Sequence, residues 1–430
     1  MSNVRDSTNL QALSGRRVGV IGLGYVGIAT ALSFADQGAE IIGLDISESR
    51  LSAIEEFRID LLDQDKHRLE HALRSGLLQM TTDPKGLSQA ELIVVCVPTP
   101  VDAHLTPDLA ALASACNTVV ANASAGQVLV LTSTTYPGCT SDLLVKPLQA
   151  RGFKVGDDVY VAFSPERIDP GNSVHTPDST PRIIGGQTKE CAAKAAELLK
   201  YTSSEMHLVS SPEAAELTKL LENTFRAVNI AMINEFADAA RDLNVDIMEV
   251  VQAASTKPYG FMTFTPGPGV GGHCIPCDPH YLLWQLRARR VDSPVVDAAM
   301  KAIAARPGLV AARARQILGE VGVPLGVSRV LVVGVSYKAG LGDVRESPAL
   351  EIIELLAAGG AEVCYTDPFV QTIKVPTAGT LSSNSTPVEE SWDLVILHTL
   401  HPNVDYSWLE GHRAVLDATY KSGLPGAFHV

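Results

Sequence analysis

Arg17-Val18-Gly19-Val20-Ile21-Gly22-Leu23-Gly24-Tyr25-Val26-Gly27 decides the fold of the amino-terminal part of this chain. Five mostly apolar residues read as a buried strand, Gly22 to Gly27 as a turn, and Ile28 to Gln37 as a helix. A second strand, Glu40-Ile41-Ile42-Gly43-Leu44, follows and ends at Asp45. Glycine at the first position of Gly22-x-Gly24-x-x-Gly27 permits the tight turn, the second lets backbone approach a pyrophosphate, and the third lets helix and strand pack closely. Helix amino termini carry partial positive charge, which suits the same anion. Asp45 stands where a carboxylate accepts hydrogen bonds from an adenosine ribose and repels a ribose phosphate. The expected cofactor is therefore NAD rather than NADP, a preference that Arg50, a turn later, weakens slightly.

Outward from this stretch the strand-then-helix alternation continues. Leu92 to Val97 and Val128 to Thr132 are further strands, and alternation of this kind predicts a parallel sheet with helices on both faces. The texture changes at Ser211. From there to Gln252 breakers almost vanish and apolar residues recur at helical spacing, as in Leu217, Leu220, Leu221, Phe225, Val228, Met232 and Phe236. Strands return with Val330-Leu331-Val332-Val333-Gly334, followed by a helix at Pro348 to Ala358 and strands at Ala361 to Tyr365 and Leu394 to Leu397. The Ser- and Thr-rich segment Leu381 to Pro387 reads as a surface loop. The expected fold class is α/β, two Rossmann-like doubly wound parallel-sheet domains joined by a central helical region. The expected divisions are a polar tail at 1–14, an NAD-binding domain at 15–209, a helical domain at 210–325 and a smaller α/β domain at 326–430.

Composition limits the partners. At 430 residues the chain is long enough for two or three domains, each with its own core. A net charge of −14 and a pI near 5.2 argue against a nucleic-acid partner, while a small phosphorylated ligand can still be held by local amides and a few cations. Met1 to Gly15 lacks the apolar centre of a signal peptide, and no run approaches the ~20 apolar residues that span a bilayer, so no membrane partner and a cytoplasmic location are expected. Seven scattered cysteines fit reduced thiols better than a disulfide framework.

Gly271-Gly272-His273-Cys274-Ile275-Pro276-Cys277-Asp278-Pro279 carries the remaining chemistry. His273, Cys274, Cys277 and His280 have the types of zinc ligands, but four ligands in eight residues cannot easily converge on one ion, and no distant Cys/His cluster completes a site, so no metal is expected. Cys274-x-x-Cys277 has dithiol spacing without a thioredoxin-like context. A buried structural cysteine beside a turn is a third reading. The fourth is a nucleophile at a helix start, with Asp278 one turn on, able to add to an aldehyde while a hydride leaves. Spacing alone does not separate these. Lys219 and Asn223, four residues apart on a helix, share one face and can aim an ammonium and an amide at one oxygen, although such a pair also suits a solvated face.

Several pieces occur together in an informative order: Gly22 to Gly27, Cys96-Val97-Pro98-Thr99-Pro100, Ser133-Thr134, Ser164-Pro165-Glu166-Arg167, Glu216-Leu217-Thr218-Lys219 with Asn223, Gly267 to Pro279, and Asp343-Val344-Arg345-Glu346-Ser347-Pro348. In this the chain resembles the UDP-glucose/GDP-mannose dehydrogenases over nearly its whole length. The resemblance implies an NAD-binding Rossmann domain, a central helical dimerisation region giving a homodimer, and a carboxy-terminal nucleotide-sugar domain. It implies oxidation of C6 of a UDP-sugar from alcohol to carboxylate with reduction of two NAD.

By the same resemblance Cys274 is the nucleophile, passing through a thiohemiacetal and a thioester. Asp278 orders a water or shuttles a proton, and Thr134 and Glu166 stand near the nicotinamide and the hydrolytic water. Tyr25, Val26, Pro98, Thr99, Ser133, Thr134 and Arg345 join the glycine loop and Asp45 in holding NAD. Glu166, Arg167, Lys219, Asn223, Gly271 and Lys338 hold the substrate. Cys277 departs from relatives that have Val or Lys there, which admits a disulfide with Cys274 under oxidation. Ala302-Ile303-Ala304-Ala305-Arg306-Pro307 departs from relatives that often carry an Asn and a Met before the proline. Gly-Pro-Gly-Val-Gly-Gly-His-Cys-Ile-Pro resembles the branch acting on UDP-N-acetylhexosamines, with UDP-glucose still open. The alternatives are a single-step β-hydroxyacid-type dehydrogenase, which needs no thiol, and a non-catalytic NAD or nucleotide-sugar sensor.

Overall fold

The computed structural model describes residues 12–59, 61, 63–167, 179–203, 205–272 and 274–430. The 1–14 tail and His273 therefore lie wholly or largely outside the described residues. The chain forms two compact units. One contains the residues up to Leu221 together with His280–Gln285, and the other contains Glu222–Pro279 and Leu286–Val430.

In the first unit, β1 (Arg17–Ile21), β2 (Glu40–Leu44), β3 (Leu78–Thr81), β4 (Leu92–Val95), β5 (Val128–Leu131) and β6 (Tyr160–Phe163) stand side by side in the order 3-2-1-4-5-6, all parallel. Two more strands extend this sheet: β7 (Arg182–Gly186) runs antiparallel to β6, and β8 (Met206–Val209) runs parallel to β7. Every residue of β4 and β5 is buried, as a sheet covered on both faces requires. Alternate side chains feed separate cores, Val18, Val20 and Val94 packing with Ile28 and Leu32 on one face, Ile21, Ile93 and Val95 with Leu112 and Val119 on the other. Each such side chain contributes about 1.5–3 kcal/mol on burial. Strand order reverses between β1 and β4, where carboxyl ends of adjacent strands diverge and open α/β sheets bind their ligands. The first helix spans Tyr25–Ala35, so it begins earlier than the expected Ile28: Tyr25 and Val26 belong to its first turn.

The second unit is built around β9 (Arg329–Val333), β10 (Glu362–Thr366), the antiparallel hairpin of β11 (Thr372–Val375) and β12 (Gly379–Ser382), β13 (Leu394–Leu397) and β14 (Val415–Asp417). Strands β10, β9, β13 and β14 form a parallel sheet in that order. The hairpin corrects the expected loop at Leu381 to Pro387, since Leu381 and Ser382 pair with Ile373 and Thr372. Only Ile373 and Val375 of the partner strand are buried, so a period of two over four residues stays hidden in a polar composition.

The central helices are Pro212–Asp242, Ile247–Ser255, Cys274–Ala288 and Pro294–Glu320. The first of these has two apolar faces. Leu220, Ala227, Ala231, Ile233 and Ala237 are buried, whereas Leu217, Leu221, Phe225, Met232 and Phe236 are exposed. Ile233, Ala237 and Ala240 pack with Ile247, Val251 and Tyr420.

Candidate functional site

The glycine loop has the geometry its sequence predicts. Gly22 has φ +85°, and a Cβ there would lie 2.7 Å from the Cys96 carbonyl oxygen. A Cβ on Gly27 would fall 1.8 Å from the Gly22 oxygen, so helix and loop meet only because this residue is glycine. Gly24 differs: nothing lies within 4 Å of its Cβ position, and it caps the amino terminus of Tyr25–Ala35. An anion therefore finds open backbone at a helix start. Asp45, half-buried at the end of β2, accepts the Leu23 N–H at Oδ2 (2.8 Å) and the Ser47 N–H at Oδ1 (2.9 Å). Its second oxygen lone pairs remain for a ribose hydroxyl. Arg50 Nε donates to the Leu23 carbonyl at 2.9 Å. Beyond the ends of β4 and β5, Pro98 is exposed, Thr99 is buried with its carbonyl accepting from the Tyr281 hydroxyl (3.1 Å), and Ser133 Oγ donates to the Val97 carbonyl (2.8 Å). Thr134, next in the chain, is half-buried. These residues fit an NAD pyrophosphate and adenosine ribose.

In the same unit Glu166 gathers a polar cluster. Its main-chain oxygen accepts from Lys219 Nζ (2.6 Å), Oε1 accepts the Arg167 N–H (2.8 Å), and Oε2 lies 3.4 Å from Arg182 Nη2. Arg167 Nη1 donates to the Pro181 carbonyl (2.6 Å), and buried Arg182 also donates to Ser164 Oγ (3.1 Å) and Thr202 Oγ1 (2.8 Å). A cavity of about 30 Å³ lies beside Glu166, Arg167, Arg182, Thr30 and Ser203, room for about one water. Arg182 was not foreseen, because an arginine opening an apolar run reads as a solvated strand end. Glu216, fully buried, was noted only as part of a motif. It accepts from the Gly138 N–H (2.5 Å), the Thr140 N–H (2.9 Å) and Thr140 Oγ1 (2.7 Å), fixing the loop that follows Thr134; burial pushes its carboxyl up against the pull of those donors.

In the second unit Asn223 Nδ2 donates to the Asp278 carboxylate, and both side chains are buried. Lys219 and Asn223 lie one turn apart on the continuous helix Pro212–Asp242, so neither is a solvated-face residue. Cys274 is the first residue of its helix and is exposed, with Asp278 one turn on, while Cys277 is buried; neither is in a disulfide. The glycine run approaches closely: a Cβ on Gly271 would lie 2.6 Å from Tyr337 Cβ and 2.7 Å from the Glu346 oxygen, and the Gly272 N–H donates to the Arg345 carbonyl at 2.9 Å. Arg345 pairs with Asp343 (Nη2 to Oδ2, 2.6 Å), which holds its guanidinium firmly protonated against partial burial. Lys338 is half-buried in the segment after β9. Of the residues weighed as metal ligands, His273 lies outside the described residues. Among the described residues, no group of three His, Cys, Asp or Glu could hold a metal ion.

Comparison with known proteins gives the family of the chain. The NAD binding domain of the UDP-glucose/GDP-mannose dehydrogenase family matches residues 16–203, its central domain 213–302 and its UDP binding domain 331–420. The chain belongs to the UDP-glucose/GDP-mannose dehydrogenase family. It is 33% identical over 387 residues to the UDP-N-acetyl-D-mannosamine dehydrogenase of Pyrococcus horikoshii, covering 90% of each chain. It is 30% identical over 387 residues to the UDP-N-acetyl-D-glucosamine 6-dehydrogenase of Pseudomonas aeruginosa, again covering 90% of each. The solved structure of the P. horikoshii UDP-D-ManNAc dehydrogenase superposes with a TM-score of 0.87 at 31% identity, over 96% of this chain and 99% of that one. This family member is accordingly an NAD-dependent nucleotide-sugar dehydrogenase, an oxidoreductase with a UDP-sugar as substrate. Among the described residues, no helix is long and apolar enough to cross a membrane.

Proposed function

We propose that this dehydrogenase oxidises the C6 hydroxyl of a UDP-N-acetylhexosamine to the carboxylate in two steps, with Cys274 as covalent anchor. The observation that carries the reading is the exposed Cys274 at a helix start, with the buried Asn223 and Asp278 pair behind it and a glycine run packed on Tyr337 and Glu346 of the UDP-binding region. Bound NAD supplies the hydride acceptor, one molecule for each step. Loss of a hydride and a proton from the alcohol leaves an aldehyde. The Cys274 thiol gives its proton to water and its sulfur bonds to that carbon, the carbonyl electron pair goes to oxygen, and Lys219 with Asn223 hold the resulting charge. Loss of a second hydride restores the C=O bond as a thioester. Water then adds, the C–S bond breaks, and carboxylate and thiol leave. Asp278 takes the water proton, with Thr134 and Glu166 placing the water.

The glycine loop, Asp45, Pro98, Thr99, Ser133 and Arg345 hold NAD, and Arg167, Gly271 and Lys338 contact the substrate. The N-acetyl sugar is favoured by the relatives at 30% identity and above, several of which act on UDP-N-acetylhexosamines, and by the Gly267–Pro276 motif. Domain limits at 15–209, 210–325 and 326–430, a homodimer through the exposed apolar face of Pro212–Asp242, and a cytoplasmic location complete the reading. The test is incubation with NAD and a panel of UDP-, GDP- and dTDP-sugars, counting NADH and acid. Two NADH per acid are expected, and Cys274→Ala is expected to form no acid. One NADH per substrate would sink the proposal in favour of a single-step dehydrogenase.

A further inference from the structure

The glycine run is anchored by a residue that motif comparison leaves without a role. Arg306 lies within the helix Pro294–Glu320, is 1% exposed, and forms an ion pair with Asp238 (Nη1 to Oδ1, 2.7 Å) on the helix Pro212–Asp242. Its Nε donates to the Gly267 carbonyl at 3.0 Å, while the Gly267 N–H donates to Asn234 Oδ1 at 2.9 Å. The N–H and the C=O of this one residue are thus held by the two helices. At the far end, Gly272 is held by the Arg345 carbonyl, and between them a Cβ on Gly269 would press to 2.8 Å on Pro348. An ion pair that buries its arginine against a half-exposed Asp238 is weak support for stability, since apolar residues of similar volume often replace a buried one at no cost. Here one guanidinium nitrogen, Nη2, is also buried with no hydrogen-bond partner within bonding distance among the described residues, which adds to the cost. What Arg306 supplies is position.

We infer that Arg306, with Asn234, is a positioning residue for UDP-sugar binding, fixing the root of the Gly267–Gly272 run against Tyr337, Glu346 and Pro348. The inference rests on the reading of that run as part of the UDP-sugar site. It gives a function to a residue of the Ala302–Pro307 stretch, where the chain departs from the pattern its resemblance implies.

The test titrates UDP calorimetrically and NADH by fluorescence against the full-length Arg306→Met variant, with Asn234→Ala, which leaves no buried charge alone, as the second variant. Loss of the anchor makes the run pay its ordering on binding, so UDP affinity is expected to fall by about tenfold while NADH affinity stays within about twofold. Unchanged UDP affinity in folded Arg306→Met, or in Asn234→Ala if the first variant does not fold, overturns the inference. So does a parallel loss of UDP and NADH binding, which reports only a smaller folded fraction. UDP binding does not use the thiol. Acid formation by Cys274→Ala would therefore remove the nucleophile and leave this inference standing.

Discussion

Gly24 and Gly27 separate cofactor geometry from packing, and a pair of alanine variants reads the difference. At Gly27 the added methyl would sit 1.8 Å from the Gly22 oxygen, so loop and helix must part by about 1.6 Å to reach ordinary contact at 3.4 Å. Overpacking of this kind costs about 1–3 kcal/mol in stability. It also drags Leu23 from its 2.8 Å bond to Asp45, so NAD binding falls as well. Gly24→Ala is different, because φ −71° and ψ −165° suit alanine and nothing lies within 4 Å of the new methyl. Its stability should stay within about 1 kcal/mol of the parent. Its NADH affinity should nevertheless drop, since the methyl occupies the approach of a pyrophosphate to the helix start. Losing two charge-assisted backbone bonds at about 1.5 kcal/mol each is a loss of about 3 kcal/mol, or about 10²-fold in Kd. NADH fluorescence titration and thermal unfolding on both variants make the assay. Gly24→Ala binding NADH as tightly as the parent would refute the assignment of the open backbone to the cofactor.

Asn223→Leu leaves the buried Asp278 carboxylate without its amide donor, and we expect about 1–3 kcal/mol of lost stability by denaturant titration together with a fall in kcat of about 10²-fold. Burial lowers the imidazole of His398, next after β13, from 6.5 to about 4, against the opposing pull of the Gly334 backbone and Asp367. The unfolded state then binds the extra proton, so stability is whole above pH 6.5 and is lost as pH falls towards about 4, by about 3 kcal/mol in all. His398→Asn should flatten that part of the acid-unfolding profile; an unchanged profile would remove His398 as its source. Phe225→Glu with Phe236→Glu places charges on the exposed apolar face of Pro212–Asp242, and light scattering should then report a monomer.

How much of this was legible depended on whether the signal was local. The strand Leu394–Leu397 is a continuous apolar run between the polar Asp393 and His398, and its ends are legible from the residues alone. Lys219 and Asn223 announced themselves through helical spacing. The hairpin Thr372–Ser382 did not, because its two buried side chains lie among Thr, Lys and Ser. Arg182 and Arg306 stayed hidden for another reason. A charged side chain in an apolar stretch is ordinarily a solvated one, and its partners Glu166, Thr202, Asp238 and Gly267 are remote in sequence. The partnership of Asn223 with Asp278 likewise joins two helices that no spacing rule connects.

Asp45 also bears on how this enzyme could be remade. Both of its oxygens already accept backbone N–H groups, that of Leu23 in the glycine loop and that of Ser47 at the cap of the helix Glu48–Glu55. Exchanging it for a small neutral residue, the obvious first step towards accepting a 2′-phosphate, would remove the repulsion and the two struts together. A redesign for NADP would have to rebuild those struts from new side chains before Arg50, now bound to the Leu23 carbonyl, could be turned towards the phosphate.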